Sequence, residues 1–322
     1  MMALVPVVAA GALWLTLQAP GAGTPAAGPS VFRAATELVT LSVAVTDGQD
    51  RQVTGLGPGD FLVLENGRPQ TIRFFASTEV PLDVVLLIDT SSSMADKLEP
   101  SRVAAARFLQ SLRPSDRAAI VEFNTQVRIL QSFTSDIGLL ERAVAATRAR
   151  GSTALYTGLY VALDHFTRLQ RRSDQVRKSA IVVLSDGQDT ASLIGEEDIT
   201  ERARRAGVPL YFVSLLSTSQ ELQLAEEGGR RRSTPYDFLL NTLARETGAR
   251  AFFPNRLEDL DGVYRTVARE LSMHYTLAYA PEERATDGSF RRVLVRVPGH
   301  PGARPRTRAG YYAPGETARR MR

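Results

Sequence analysis

The chain has 322 residues, a length that corresponds to about two domains. Hydrophobic residues make up 43% and charged residues 23%, which is typical of a globular protein and excludes a disordered chain, a collagen-like fibre and a multi-span membrane protein. The absence of cysteine excludes disulfide frameworks, zinc–cysteine sites, iron–sulfur clusters and cysteine nucleophiles. The three histidines, His165, His274 and His300, are too scattered to suggest a histidine metal site.

The net charge of +4 is distributed unevenly along the chain. Residues 291–322 contain nine arginines and one acidic residue, Glu316, so this end carries +8 and the rest of the chain −4. That distribution gives no reason to expect specific nucleic-acid binding. It describes a basic C-terminal end, with residues 315–322 as a basic tail, whose arginines form either a solvated surface or a site for an anionic partner.

An uncharged, mostly apolar run occupies residues 4–19 and is followed by small residues and prolines. This pattern is typical of a signal peptide, although the usual basic segment before the run is missing. Residues 1–24 are therefore predicted to be either a cleaved signal peptide or an uncleaved N-terminal anchor. The run is shorter than the roughly 20 residues that span a bilayer, which favours cleavage. We expect an exported protein, periplasmic, in the cell envelope or secreted, that contacts a membrane only through such an anchor.

Two flanking segments show strand patterns. Residues 31–78 alternate apolar and polar side chains between turn residues, and residues 272–314 do the same. The predicted strands and turns are residues 38–45, the turn at Asp47-Gly48, residues 60–65, the hairpin turn at Asn66-Gly67, a returning strand at 71–75, and strands at 275–279 and 291–297. Because the first flank is too short for an independent sandwich, we expect the two flanks to pack together as one small β domain.

Between the flanks, residues 81–271 alternate strands with helices. Residues 83–88 and 180–184 are nearly continuous apolar runs, as expected for strands that are buried on both faces of a parallel sheet. Further strands are predicted at residues 118–123, 127–133, 209–215 and 249–253, helices at 97–112, 136–149, 155–170, 196–206, 235–247 and 257–271, and a polar loop at 228–232. This order predicts an α/β fold with a doubly wound, mostly parallel sheet.

Three polar motifs stand where such a sheet binds its ligands, beyond the carboxyl ends of the strands. Residues 89–93 (DTSSS) directly follow the first buried strand, residues 151–153 (GST) open a helix, and residues 185–187 (SDG) directly follow the second buried strand. Each motif by itself is most simply a helix N-cap. Together they predict a shared site at one edge of the sheet.

A hard divalent cation could be held by five oxygen-bearing residues of these motifs: Asp89, Ser91, Ser93, Thr153 and Asp186. Carboxylate and hydroxyl oxygens suit Mg²⁺, and also Mn²⁺ or Ca²⁺. The two carboxylates balance the charge of the ion and no more, so the bound metal would still attract an anionic ligand. We therefore predict a protein partner that offers an Asp or Glu carboxylate.

The pattern Asp-x-Ser-x-Ser, followed by a distant Thr and an Asp-Gly pair, resembles the metal-ion-dependent adhesion site of von Willebrand factor type A domains. The resemblance covers residues 81–271 and implies a Rossmann-like fold. It also implies that the serines and the threonine contact the metal, that the aspartates bind it directly or through water, and that a partner's acidic group completes the shell. Asp96 lies where integrin relatives carry a residue of a second metal site. Lys97 departs from their paired acids, so we interpret Asp96 as a helix cap.

The flanks resemble those of bacterial exported proteins with a related domain, and the predicted function is that of a non-enzymatic, adhesion-type binding module. One alternative is a structural envelope module with a vestigial site, because a fold does not guarantee a working site. Another is a metal-dependent hydrolase, in which Asp189 could be the base. A triad of Ser91 or Ser185 with His165 lacks the Gly-x-Ser-x-Gly elbow, and the chain has no phosphate-binding Gly-x-x-x-x-Gly-Lys loop. We expect no catalytic residue.

Overall fold

A computed structural model of the chain describes residues 38–77, 80–170, 177–216, 233–272, 275–282 and 287–315. The predicted N-terminal segment, residues 1–24, the polar loop at 228–232 and residues 316–322 of the basic tail lie outside the described residues. Within the described ranges, no helix combines the length and the apolar character that a membrane crossing requires.

The strands fall into three sheets. The N-terminal flank forms β1 (Val39–Thr46), β2 (Leu62–Glu65), β3 (Arg68–Gln70) and β4 (Ile72–Ala76). The central region forms β5 (Leu82–Asp89), β6 (Arg117–Phe123), β7 (Val127–Thr134), β8 (Lys178–Ser185), β9 (Leu210–Ser214) and β10 (Ala251–Phe252). The C-terminal flank forms β11 (Tyr275–Tyr279), β12 (Phe290–Arg296), β13 (Arg304–Arg306) and β14 (Gly310–Tyr312).

The α-helices among the described residues belong to the central region. They are α1 (Leu98–Gln110), α2 (Ile137–Ala145), α3 (Leu155–Gln170), α4 (Glu196–Ala206), α5 (Pro235–Thr247) and α6 (Leu260–Ser272). Helices α1, α2 and α6 pack on one face of the central sheet, and α3, α4 and α5 pack on the other.

The central sheet has the strand order β10-β9-β8-β5-β6-β7, and every pairing is parallel except that of β7 with β6. All eight residues of β5 are buried, because alternate side chains enter the two helix-covered cores. This explains why the sequence of β5 is a nearly continuous apolar run and does not alternate between apolar and polar residues. The predicted α/β fold with a mostly parallel sheet is confirmed.

The flanks form two antiparallel sheets, with orders β13-β1-β11-β4 and β14-β12-β2-β3, which enclose a third hydrophobic core. Each sheet contains strands of both flanks, as predicted. The strand expected at residues 71–75 is present as β4, but the prediction that it is the returning strand of the hairpin was wrong, because the chain turns back at once. Asn66 and Gly67 both have positive φ, 47° and 83°, so the hairpin closes onto Arg68–Gln70, while β4 pairs with β11 in the other sheet.

The C-terminal flank is attached to α5 and α6. Arg306 forms a 2.7 Å ion pair with Glu270, whose side chain is 3% exposed, and the Ala309 amide donates to the Glu246 carbonyl at 2.9 Å. Gly248 ends α5 at a φ of 85°, and a Cβ there would lie only 2.6 Å from the backbone of Thr307. Only glycine permits both this conformation and this close approach.

Candidate metal centre

The carboxyl ends of β5 and β8 lie next to each other, since Ile88 pairs with Leu184 in register. Asp89 is the last residue of β5, and Asp186 follows the last residue of β8. Thr153 lies in the loop that precedes α3. The fold therefore brings the three predicted motifs to one edge of the central sheet.

Hydroxyl groups connect the first motif to the third. The Oγ atoms of Ser91 and Ser93 are 3.1 Å apart, and the Ser93 hydroxyl donates to Oδ1 of Asp186 at 2.7 Å. The Thr90 hydroxyl is directed elsewhere, accepting a hydrogen bond from Asn124 at 2.9 Å. The segment forms a 3-10 turn at Ser92–Met94, and the hydroxyls of Ser91 and Ser93 lie on the same side of it.

Asp89 is completely buried and is held by neutral donors. The Ser91 amide donates to its Oδ1 at 2.8 Å, and the Ser185 hydroxyl donates to its Oδ2. Burial raises the pKa of Asp89 to about 6, and the nearby charge of Asp186 adds to the effect, while the hydrogen bonds oppose it. The hydroxyl of Tyr236, from α5, is buried near Ser185 and Asp89, and no pattern in the sequence pointed to it.

Thr153 is positioned through its backbone. Its carbonyl accepts hydrogen bonds from the amides of Thr190 and Ala191, at 2.8 and 3.0 Å. A Cβ on Gly187 would lie 3.5 Å from the Thr153 hydroxyl and 3.9 Å from the Ser93 hydroxyl. The Thr153 hydroxyl therefore lies beside the Ser91–Ser93–Asp186 network, and the five predicted residues share one small region.

Lys97 is a second residue of this region that sequence reasoning missed. Its Nζ atom lies 2.8 Å from Oδ2 of Asp186, and the two side chains are only 5% and 0% exposed. Lys97 also takes the N-cap position of α1, so the prediction that Asp96 caps this helix was wrong; Asp96 is exposed. The only signal in the sequence was the departure of Lys97 from the acidic pair of integrin relatives.

The residues considered for catalysis have structural contacts. The carboxylate of Asp189 accepts hydrogen bonds from the amides of Tyr156 and Ser192, at 2.9 and 3.0 Å, and thereby caps α3. The ring of His165 stacks on Phe133 at 5.0 Å, and burial lowers its pKa.

The donor set fits a hard divalent cation, because two carboxylates and several hydroxyls converge in a largely buried place. No group of three or more His, Asp or Glu side chains that could hold a metal occurs in the part of the chain that the structure describes. The candidate site thus depends on hydroxyl oxygens for most of its ligands. The ammonium of Lys97, beside Asp186, opposes the binding of a further positive charge there.

Known proteins resemble this chain over the same region. The family profile described as the von Willebrand factor type A domain matches residues 83–265, more than half of the chain. Human inter-alpha-trypsin inhibitor heavy chain H4 is 24% identical over 72% of this chain, and a UPF0353 protein of Mycolicibacterium paratuberculosis is 25% identical over 61% of it. The matched regions span 25% and 63% of those two relatives.

Among solved structures, a von Willebrand factor type A protein from Catenulispora acidiphila is similar to 89% of this chain and 76% of its own, with a TM-score of 0.49 and 12% identity.

Proposed function

The chain belongs to the von Willebrand factor type A domain family, and on that premise we propose that it is an exported, non-enzymatic module that binds a protein partner through a divalent metal. The observation that carries this proposal is the convergence of Asp89, Ser91, Ser93 and Asp186 at one edge of the sheet. Hydroxyls and carboxylates in this combination suit Mg²⁺, with Mn²⁺ or Ca²⁺ as the other candidates.

The residues of the site have distinct roles in this proposal. Asp89 and Asp186 supply the negative charge that attracts the ion, and Ser91, Ser93 and Thr153 supply neutral oxygens. The metal, when bound, offers a Lewis-acidic position to an oxygen ligand. Neutral donors around Asp89 keep its carboxylate oriented without cancelling its charge.

Charge balance favours an acidic group as the partner's contribution. The two aspartates neutralise a divalent ion, and the ammonium of Lys97 adds a further positive charge beside Asp186. A partner carboxylate would gain attraction from this excess, whereas an amine would be repelled. The partner is therefore a protein that presents an exposed Asp or Glu side chain.

A structural envelope module is the second candidate, and the Lys97–Asp186 pair favours it. Both oxygens of Asp186 already accept hydrogen bonds from groups of this chain, Ser93 and Lys97. In that case the edge would be held together without any metal, and partners would bind elsewhere. A metal-dependent hydrolase has less support, because Asp189 caps a helix.

A pull-down from envelope extract tests the proposal. Wild-type protein and the Asp89→Ala variant serve as baits, each in Mg²⁺ and in chelator. A partner of the metal site should be recovered only by wild type in Mg²⁺. Recovery of the same protein in all four samples would show that binding does not use the site. Mass spectrometry of the exported protein would show whether residues 1–24 are cleaved or retained as an anchor.

A further inference from the structure

Lys97 is unusual in this chain, because lysine is rare in the sequence and because this lysine is buried beside the candidate metal site. The sequence contains 39 basic residues, of which only Lys97 and Lys178 are lysines. Lys97 is buried, and its ammonium contacts the carboxylate that is predicted to bind the metal. Long cationic side chains are rarely buried unless they are paired, so this placement has a specific cause.

The backbone of Lys97 is firmly placed. Its amide donates to the Met94 carbonyl at 2.9 Å, and its own carbonyl accepts hydrogen bonds from the amide and the hydroxyl of Ser101, at 3.1 and 2.7 Å. The ammonium therefore reaches Asp186 from a fixed point at the start of α1. It behaves as a cation that is tethered to the site.

The tethered ammonium and a divalent metal would need the same carboxylate. Asp186 accepts from Ser93 at Oδ1 and from Lys97 at Oδ2, so a metal that binds it must share or displace these donors. A buried carboxylate that lacks a counter-charge is strongly destabilising. When no metal is bound, the ammonium of Lys97 supplies this counter-charge to Asp186. The same positive charge repels an arriving metal.

We propose, building on the metal site of the proposed function, that Lys97 is a built-in monovalent cation that competes with the divalent metal for Asp186. Lys97 keeps the site assembled in the absence of metal and lowers the affinity for metal. The site consequently fills only where the divalent cation is abundant, and partner binding follows the metal concentration around the protein.

The experiment compares metal binding by the full chain in wild type, Lys97→Met and Lys97→Gln. Gln keeps a hydrogen-bond donor near Asp186 and guards against a failure of Lys97→Met to fold. Lys178→Gln is the matched control, since Lys178 begins β8 at the opposite edge of the sheet. Each protein is treated with chelator, dialysed and titrated with Mg²⁺ by calorimetry, and its unfolding midpoint is measured with and without Mg²⁺.

We expect both Lys97 variants to bind Mg²⁺ at least about tenfold more tightly than wild type, because one repulsive charge is gone. Lys97→Met should unfold at a lower temperature in chelator and recover in Mg²⁺, and Lys178→Gln should match wild type. Equal Mg²⁺ affinities in wild type and both Lys97 variants would overturn the inference and leave the metal site standing. Binding by the Lys97 variants alone would support the inference and contradict a metal site in wild type. An absence of binding in every protein would overturn both.

A second readout observes the lysine directly. Isotope-labelled lysine gives side-chain signals from only two residues in this chain, and Lys97→Gln identifies which signal is which. Addition of Mg²⁺ should shift the Lys97 signal and leave the Lys178 signal in place. A Lys97 signal that stays unchanged while calorimetry shows Mg²⁺ binding would contradict competition for Asp186.

Discussion

The two ends of strand β5 each carry a buried aspartate, Asp83 at the start and Asp89 at the finish, with 4% and 0% exposure. Asp83 is surrounded by fixed positive charge. Arg117 contacts both of its oxygens, at 2.8 and 2.7 Å, and Arg177 donates to Oδ1 at 2.8 Å. The two arginines balance the charge of Asp83, so this carboxylate requires no further ligand.

Asp89 is similarly buried, and no arginine among the described residues donates to it. Its donors are neutral groups of Ser91 and Ser185, and burial raises its pKa to about 6. The comparison teaches that burial alone does not distinguish a structural carboxylate from a proposed metal ligand. The distinction lies in whether the chain itself supplies the counter-charge or leaves it to a proton, an ion or the single lysine beside Asp186.

The largest expected effect is on Mg²⁺ binding, which should depend on the aspartates at the Asp89 end of β5 and not on Asp83. Asp89→Ala and Asp186→Ala should each abolish Mg²⁺ binding, because a single remaining carboxylate cannot balance a divalent charge. Asp83→Asn should bind Mg²⁺ as wild type does. Calorimetry on the three variants checks this, and unchanged affinity in both alanine variants would refute the assignment of the ligands.

The next largest effect is a loss of stability when the carboxylate at the Asp83 end of β5 is removed. Asp83→Asn should lower the free energy of unfolding by about 3–5 kcal/mol, since it leaves the guanidiniums of Arg117 and Arg177 without their shared carboxylate. Denaturant unfolding in chelator measures the change. A loss below about 1 kcal/mol, the size of a surface ion pair, would show that the ion pairs of Asp83 contribute little to the stability of the fold.

The third expectation concerns the flanks that precede and follow the central region. Residues 81–271 alone should be less stable than residues 31–314, because they lose the Arg306–Glu270 ion pair and the Ala309–Glu246 hydrogen bond. A loss of about 2 kcal/mol would lower the unfolding midpoint by roughly 5 °C. Equal melting temperatures of the two fragments would contradict stabilisation by the flanks.

The smallest expected effect is an increase in stability, the opposite of the change expected for Asp83→Asn. In chelator at pH 8, Asp89→Asn should raise the free energy of unfolding by about 1 kcal/mol, because it removes a buried charge without a fixed counter-charge. The pKa of Asp89 is higher in the folded protein than in the unfolded chain, so its stabilising contribution is present at pH 4 and is lost as the pH rises through about 6. The variant should lack this pH dependence in unfolding experiments between pH 4 and 8. Lower stability of the variant at pH 8 would contradict the account.

Sequence patterns predicted the parts of this molecule that depend on local chemistry. The apolar runs of β5 and β8 identified the centre of the sheet, because strands with two covered faces need no polar side chains. The position of the motifs after these runs was enough to predict that Asp89 and Asp186 would meet. The short strand Arg68–Gln70 was missed, because the following segment 72–76 has the stronger strand pattern yet belongs to the other sheet.

The contacts that depend on long side chains could not be predicted. Lys97 and Asp186 lie 89 positions apart, and the reach of the lysine depends on how α1 begins. Arg117 and Arg177 likewise come to Asp83 from separate strands and loops. The sequence therefore predicted that Asp89 and Asp186 lie close together, but not which of the buried aspartates the chain would neutralise.

The central claim is that a metal at the Asp89–Asp186 edge connects this protein to an acidic side chain of its partner. The most direct measurement is the affinity of an identified partner for the full chain in Mg²⁺ and in chelator, with Thr153→Ala as a third sample. The account predicts that binding is lost in chelator and weakened, but not lost, in Thr153→Ala. The same affinity in Mg²⁺ and in chelator would contradict the metal-bridged mechanism and make the β flanks the leading interface.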